Sequence, residues 1–187
     1  MISGIVLAAG LSSRMGRPKL LLDWGGQPVI RRAVERVAAG GVDDLLVVVG
    51  HEGEAVRKAL SGLPVRFVRN PNPEAGQGSS IACGVSALQP SVEATLIALG
   101  DQPTLPPEVI PRLLESFRQT GKPIVVPGYR GVQGNPVLFA AAVFPELRAL
   151  TGDRGARTVV EKDPARVSMV PFDVQMPADL DTLEEYD

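Results

Sequence analysis

Three cations set in a loop of small side chains are the residues best suited to chemistry. An apolar run ends in Ala8-Ala9-Gly10, Leu11-Ser12-Ser13 follows, and Arg14, Arg17 and Lys19 come close behind. Small residues let backbone N–H groups approach a polyphosphate with no Cβ atoms in the way. Arginine makes forked contacts to such an anion and lysine acts as a point charge. Leu7, Ala8, Ala9, Gly10, Ser12, Ser13, Arg14 and Lys19 are therefore candidate nucleotide contacts, with Arg14 and Lys19 the candidate catalytic cations. The loop has no Gly-Lys-Ser/Thr and is not a Walker A loop. Gly-x-Gly-x-x-Gly is also absent after the first apolar run, which removes the main support for hydride transfer.

A carboxylate stands at a second apolar run. Leu96-Ile97-Ala98-Leu99 leads into Gly100-Asp101-Gln102-Pro103. If both runs are parallel strands, Asp101 emerges on the same rim as the cationic loop. Mg²⁺ is usually held by one or two carboxylates together with phosphate and water, so Asp101 is the candidate metal ligand. A turn aspartate is the plain alternative for the residue taken alone. A second acidic segment, Ala178-Asp179-Leu180-Asp181, lies far along the chain. Alternation in an extended segment points Asp179 and Asp181 to opposite sides. We expect Asp181 to face the metal and Asp179 to serve the helix that follows.

These residues need a scaffold, and the order of elements supplies one. Strand patterns cover Ile2–Ala8, Leu45–Val49, Val65–Arg69, Thr95–Leu99, Ile124–Pro127, Pro136–Phe139 and Val167–Pro171. Helical patterns cover Val29–Ala39, Glu52–Leu60, Ser79–Leu88, Glu108–Gln119, Phe144–Leu150, Gly155–Asp163 and Leu180–Tyr186. Gly40-Gly41 ends the first helix and Pro106-Pro107 opens the fourth. Alternation of this kind predicts a single Rossmann-like, three-layer α/β domain over residues 1–187, with a mostly parallel sheet. Ligands on such sheets sit beyond the carboxyl ends of the strands.

The run from Leu7 to Lys19 resembles the signature L-A-[AG]-G-x-S-x-R-M-G-x-x-K of the molybdenum-cofactor nucleotidyltransferases and their sugar-nucleotide pyrophosphorylase relatives. Every fixed position is met, including Arg14, Met15, Gly16 and Lys19. The resemblance implies a fold of the nucleotide-diphospho-sugar transferase type and transfer of a nucleotidyl group, with release of pyrophosphate and assistance from Mg²⁺. In that family the Gly-Asp-x-Pro aspartate, here Asp101, binds the metal. Asp179 to Glu185 resembles the family's D-[IL]-D-T-P-E-D segment, with Leu183 in place of proline. Gly78, Ser79 and Ser80, after Asn70-Pro71-Asn72-Pro73, correspond to the segment bordering the base and ribose. Gly134, Asn135 and Pro136 match an acceptor-side loop, with Asn135 in place of the usual histidine. Arg154 and Arg157 match a segment that receives the acceptor phosphate.

The Leu-Ala-Ala-Gly form resembles the cytidylyl-transferring branch, which implies CTP and molybdenum cofactor as substrates. A molybdoenzyme or its maturation factor is implied as protein partner. A GTP-dependent guanylyltransferase on the same cofactor and a sugar-1-phosphate nucleotidyltransferase are the neighbouring readings. A non-catalytic nucleotide or cofactor-binding protein and an NAD-type oxidoreductase are readings from other classes.

Composition narrows the field. The net charge of −2 and the 4% of aromatic residues give no support to a nucleic-acid partner. One Cys and one His leave no internal disulfide and make a zinc site or a Cys/His nucleophilic pair a poor expectation. His51 reads as a loop residue, Cys83 as a helical core position and Trp24 as packing at the exit of the cationic loop. A lone cysteine, with no signal-type segment and no bilayer-length apolar run, fits a cytoplasmic protein with no membrane contact.

Overall fold

A computed structural model describes residues 1–10 and 18–180. The first strand, β1 (Ile2–Ala8), is buried along its whole length. A 3₁₀ turn at Lys19–Leu21 leads to α1 (Val29–Ala39), then β2 (Asp44–Val49), α2 (Gly53–Ala59), β3 (Arg66–Arg69) and α3 (Gln77–Ser86). The chain continues through β4 (Ala94–Leu99), α4 (Val109–Thr120), β5 (Ile124–Tyr129), β6 (Val132–Gln133) and β7 (Val137–Ala140). It closes with α5 (Phe144–Arg148), α6 (Arg157–Glu161) and β8 (Val167–Phe172).

All eight strands join one sheet, ordered β3-β2-β1-β4-β7-β5, with β6 and β8 also pairing with β5. The pairs β1–β2, β1–β4, β2–β3 and β5–β8 are parallel. The pairs β4–β7, β5–β6 and β5–β7 are antiparallel. The protein is thus a single α/β domain with a mostly parallel sheet.

Alternate residues of each strand divide between two cores, as the period of two requires. Val6, Val47, Leu96 and Val125 face the side carrying Val34 of α1, Val56 of α2 and Leu113 of α4. Ile5, Val48, Ile97 and Val126 face the side carrying Ile81 and Val85 of α3, Leu147 of α5 and Val160 of α6. Three layers result. Among the described residues no helix is long and apolar enough to cross a membrane.

Several expected elements shift. The strand expected at Pro136–Phe139 is Val137–Ala140, and it runs antiparallel to β4, since a strand's own apolar pattern carries no direction. β6 was not expected, being a two-residue hairpin arm of exposed Val132 and Gln133. The helix expected over Gly155–Asp163 narrows to Arg157–Glu161, where Gly155 has a φ of 54° and Pro164 follows closely. The expected Leu180–Tyr186 helix lies beyond the described residues after Leu180.

The amino-terminal rim of the sheet is tied by polar contacts. Asp44 accepts from Arg66 Nη2 at 2.5 Å and from Ser3 Oγ at 3.1 Å, so one carboxylate links β1, β2 and β3. Thr95 Oγ1 donates to the Ser3 carbonyl at 3.0 Å and extends the tie to β4. The bond from Arg66 holds the Asp44 carboxyl below the usual aspartate range, against the opposing effect of burial. A depressed folded-state pKa stabilises the fold above the unfolded value and loses that contribution as pH falls through the folded one. Asp44→Asn is therefore expected to lower unfolding free energy by on the order of 1 kcal/mol at neutral pH. In urea titrations the deficit should shrink as the pH is taken below the ordinary aspartate range. A deficit that stays constant with pH contradicts this role.

Candidate active site

The carboxyl ends of β1 and β4 lie side by side. Gly100 N–H donates to the Leu7 carbonyl at 3.0 Å. A Cβ at Gly100 would stand 2.8 Å from that oxygen and 2.7 Å from Ile30 Cδ1, so only glycine lets the chain turn this close to β1. The turn delivers Asp101 to the rim where Ala9 and Gly10 leave β1.

Lys19 reaches the same place from the 3₁₀ turn, whose Leu20 is buried in the core beneath it. Lys19 Nζ lies 2.6 Å from Asp101 Oδ2, and the two side chains are only 15% and 16% exposed. A cation and a carboxylate separated by 82 positions in sequence thus meet at one rim. Leu7, Ala8 and Ala9 are buried at the end of β1, and Gly10 is exposed beyond them. Ser12, Ser13 and Arg14, like Asp181, lie outside the described residues.

Gln102, next to Asp101, was not singled out from sequence. Its amide is buried and donates to Asp179 Oδ1 at 2.6 Å, and Leu180 N–H donates to the Asp101 carbonyl at 3.3 Å. Among the described residues there is no group of three or more His, Cys, Asp or Glu side chains that could hold a metal. Asp101 with phosphate oxygens and water nevertheless fits the donor set of Mg²⁺ or Mn²⁺, which needs few protein carboxylates.

The segment before α3 is held by a polar cluster. Asn70 Nδ2 donates to Ser79 Oγ at 2.8 Å and to Ser80 Oγ at 3.0 Å. Ser79 Oγ donates back to the Gly76 carbonyl at 2.8 Å. The N-cap of α3 is Gly76, so neither serine caps the helix. Gly78 is also committed within the protein, since its N–H donates to the Gly152 carbonyl at 2.8 Å. A Cβ at Gly78 would meet the Thr151 backbone at 2.8–2.9 Å. The close approach that glycine permits here is made by the protein's own 151–153 loop.

That loop leads to a cavity of about 450 Å³ on the α3/α6 side of the sheet. Leu7, Ile81, Ile97, Leu99 and Phe139 form an apolar floor, and Gln77, Gln133, Gly134, Asn135, Arg154, Arg157 and Glu161 supply the polar wall. Four of the five residues matched to the acceptor side, Gly134, Asn135, Arg154 and Arg157, therefore line one space. Pro136, joined to Asn135 by a cis peptide, stands just outside that lining. Tyr129 Oη donates to the Asn135 carbonyl at 2.7 Å, and burial pushes the Tyr129 phenol pKa upward, so it stays a donor.

Glu161 is the functional candidate that sequence reading missed. It accepts from Arg157 Nε at 2.7 Å and from Arg154 Nη2 at 2.8 Å. The Arg157 bond is the main reason its carboxyl sits below the usual glutamate range. The i,i+4 spacing of Arg157 and Glu161 was a legible signal, whereas the second arginine required the fold. Elsewhere on the rim His51 Nε2 bonds Glu74. Cys83 is half-buried and its thiol pKa is pushed up by burial, the opposite of an activated nucleophile.

The fold is that of a nucleotidyltransferase. The MobA-like NTP transferase domain matches residues 4–167, and the chain belongs to that family. Nicotine blue oxidoreductase of Paenarthrobacter nicotinovorans is 32% identical, over 98% of this chain and 94% of its own. Purine catabolism protein PucB of Bacillus subtilis is 29% identical, over 98% of this chain and 93% of its own. The crystal structure of Rv0371c from Mycobacterium tuberculosis H37Rv superposes with a TM-score of 0.88 at 29% identity, covering 99% of this chain and 94% of that one. A second structure of Rv0371c is a complex with manganese, with a TM-score of 0.85 at 30% identity, covering 99% of this chain and 95% of that one. A divalent metal therefore occurs in a close structural relative.

The packing of Gly78 is open to test. Gly78→Ala should displace the 151–153 loop and destabilise the fold by about 1–3 kcal/mol, a fall of roughly 5 °C in Tm. A Tm equal to wild type would mean that this contact does not hold the loop.

Proposed function

We propose that this protein transfers CMP from CTP to the terminal phosphate of molybdenum cofactor and releases pyrophosphate, with Mg²⁺ as the divalent ion. The observation that carries the reading is the meeting of Lys19 and Asp101 on the rim at 2.6 Å. Lys19, with Arg14, binds and orients the triphosphate. Asp101, with Asp181, holds the divalent ion. That ion, when bound, supplies neutralisation of the phosphate charge.

The acceptor phosphate needs little help from a base. A phosphate monoester is largely dianionic at neutral pH, its second pKa being about 6. This agrees with a rim on which the only imidazole, His51, is bonded to Glu74. An acceptor oxygen bonds to the α-phosphorus as the α–β bridging bond breaks, and pyrophosphate leaves with that electron pair. Positioning and charge neutralisation are what the protein contributes. Arg154 and Arg157 receive the acceptor phosphate, while Gly134, Asn135 and Pro136 border the rest of it. Ser79 and Ser80, fixed by Asn70, and Gly78, fixed by Gly152, shape the nucleotide side through the backbone they hold.

A second reading has a specific observation behind it, because the 32% identical relative bears the name of an oxidoreductase. The missing Gly-x-Gly-x-x-Gly after β1 weighs against a dinucleotide cofactor. The base preference rests on Ala9 in the Leu-Ala-Ala-Gly run, so GTP and sugar 1-phosphates belong in the same experiment.

Pyrophosphate release should be measured with each of the four NTPs against molybdenum cofactor and sugar 1-phosphates, beside oxidation of NAD(P)H. CTP with molybdenum cofactor is expected to give the highest kcat/KM. Release with GTP alone, or with a sugar phosphate alone, selects the neighbouring reading. Nucleotide binding without any release identifies a non-catalytic binder. Asp101→Asn is expected to lower kcat on the order of 10²–10³-fold with a much smaller change in nucleotide Kd. Equal losses in both would make Asp101 a ground-state binding residue.

A further inference from the structure

Gln102 is polar, large and only 6% exposed, yet the reaction above gives it no task. A buried amide is costly unless it is hydrogen-bonded. Its Nε2 donates to Asp179 Oδ1 at 2.6 Å, with the Pro177 carbonyl at 3.5 Å. Two further contacts hold the same segment. Leu180 N–H donates to the Asp101 carbonyl at 3.3 Å, and the Leu180 side chain is 2% exposed. The backbone from Pro177 to Leu180 is therefore anchored on Asp101-Gln102, across 77 positions of sequence.

The choice of acceptor is informative. A carboxylate gives a shorter and stronger bond to an amide than a carbonyl does. It also brings a negative charge beside the loop that carries Asp101, with Asp181 two residues further along the same backbone. The Asp101 loop is thus tied to the 177–180 backbone, and Gln102 is the side chain that joins them.

We propose that Gln102 is a positioning residue whose buried amide locks the C-terminal acidic segment onto the Asp101 loop and so sets the affinity of the nucleotide-bound enzyme for its divalent ion. This rests on the reading of Asp101 as the metal-holding carboxylate. Groups that orient a metal's ligands without touching the metal typically matter 10–100-fold, roughly, in metal affinity. Gln102→Leu keeps the volume and removes the donor. Gln102→Glu sets a carboxylate against Asp179.

The test is Mn²⁺ titration of the full chain followed by electron paramagnetic resonance, with saturating CTP and with Mn²⁺ alone, beside Tm and steady-state kinetics. Gln102→Leu is expected to weaken Mn²⁺ binding in the presence of CTP by roughly 10–100-fold. The Mn²⁺ concentration for half-maximal rate should rise by the same factor while KM for CTP moves little. Asp179→Asn, which keeps an oxygen acceptor for Gln102, should retain more affinity than Asp179→Ala. Unchanged Mn²⁺ affinity in folded Gln102→Leu overturns the proposal, and Asp179→Ala carries the same test should Gln102→Leu not fold. An Asp179→Asn loss as large as that of Asp101→Asn also overturns it, by making Asp179 a ligand rather than the segment's anchor. Wild-type protein that binds no Mn²⁺ with CTP, or Asp101→Asn that binds as wild type, refutes the metal reading of Asp101 itself.

Discussion

Parallel pairing of β1, β2, β3 and β4 is the constraint from which the site follows. It sends the chain out of the sheet on one rim, beside strands that begin on the other. The two rims differ in character. At the amino ends, Ser3, Asp44, Arg66 and Thr95 bind one another across four strands. At the carboxyl ends Gly100 lets the turn after β4 fit against the end of β1. The Ser3, Asp44, Arg66 and Thr95 ties lie at one end of the sheet, and the other end presents Lys19 and Asp101.

Much of this is legible in sequence because it rests on local pattern. The apolar run before Gly10 and the one before Gly100 each announce a buried strand with a turn behind it. If both strands run parallel, Lys19 and Asp101 must share a rim. The family signature adds the direction that apolar patterning lacks. Other features depend on distant partners and leave no local trace. The antiparallel course of β7 is one. Gln102 is another, since nothing near it in sequence shows that its partner is Asp179. Gly78 is matched in sequence to a segment bordering the nucleotide, and the fold fills the space beside it with Thr151. A glycine signals close approach without naming what approaches.

Both cationic groups within the described site are already matched with a carboxylate. Lys19 bonds Asp101, and Arg154 and Arg157 share Glu161. The pairings differ in environment. Lys19 and Asp101 are largely withdrawn from water, whereas the two arginines are 69% and 73% exposed. Exposed ion pairs contribute little to stability, about 0–1 kcal/mol, so in the proposed reaction Glu161 would give up its arginines readily to an incoming phosphate.

The buried pair follows another logic. Separating Lys19 from Asp101 breaks a 2.6 Å contact between two largely buried charges, and breaking such a pair is strongly unfavourable. In the proposed reaction a phosphate that draws Lys19 away takes the ammonium from Asp101, and a cation that draws Asp101 away takes the carboxylate from Lys19. Neither ligand gains the full benefit of the site alone. A nucleotide and a divalent ion arriving together satisfy both members at once. The close pairing of these two side chains is therefore itself a reason for metal and nucleotide to bind cooperatively, by a coupling that works equally in both directions.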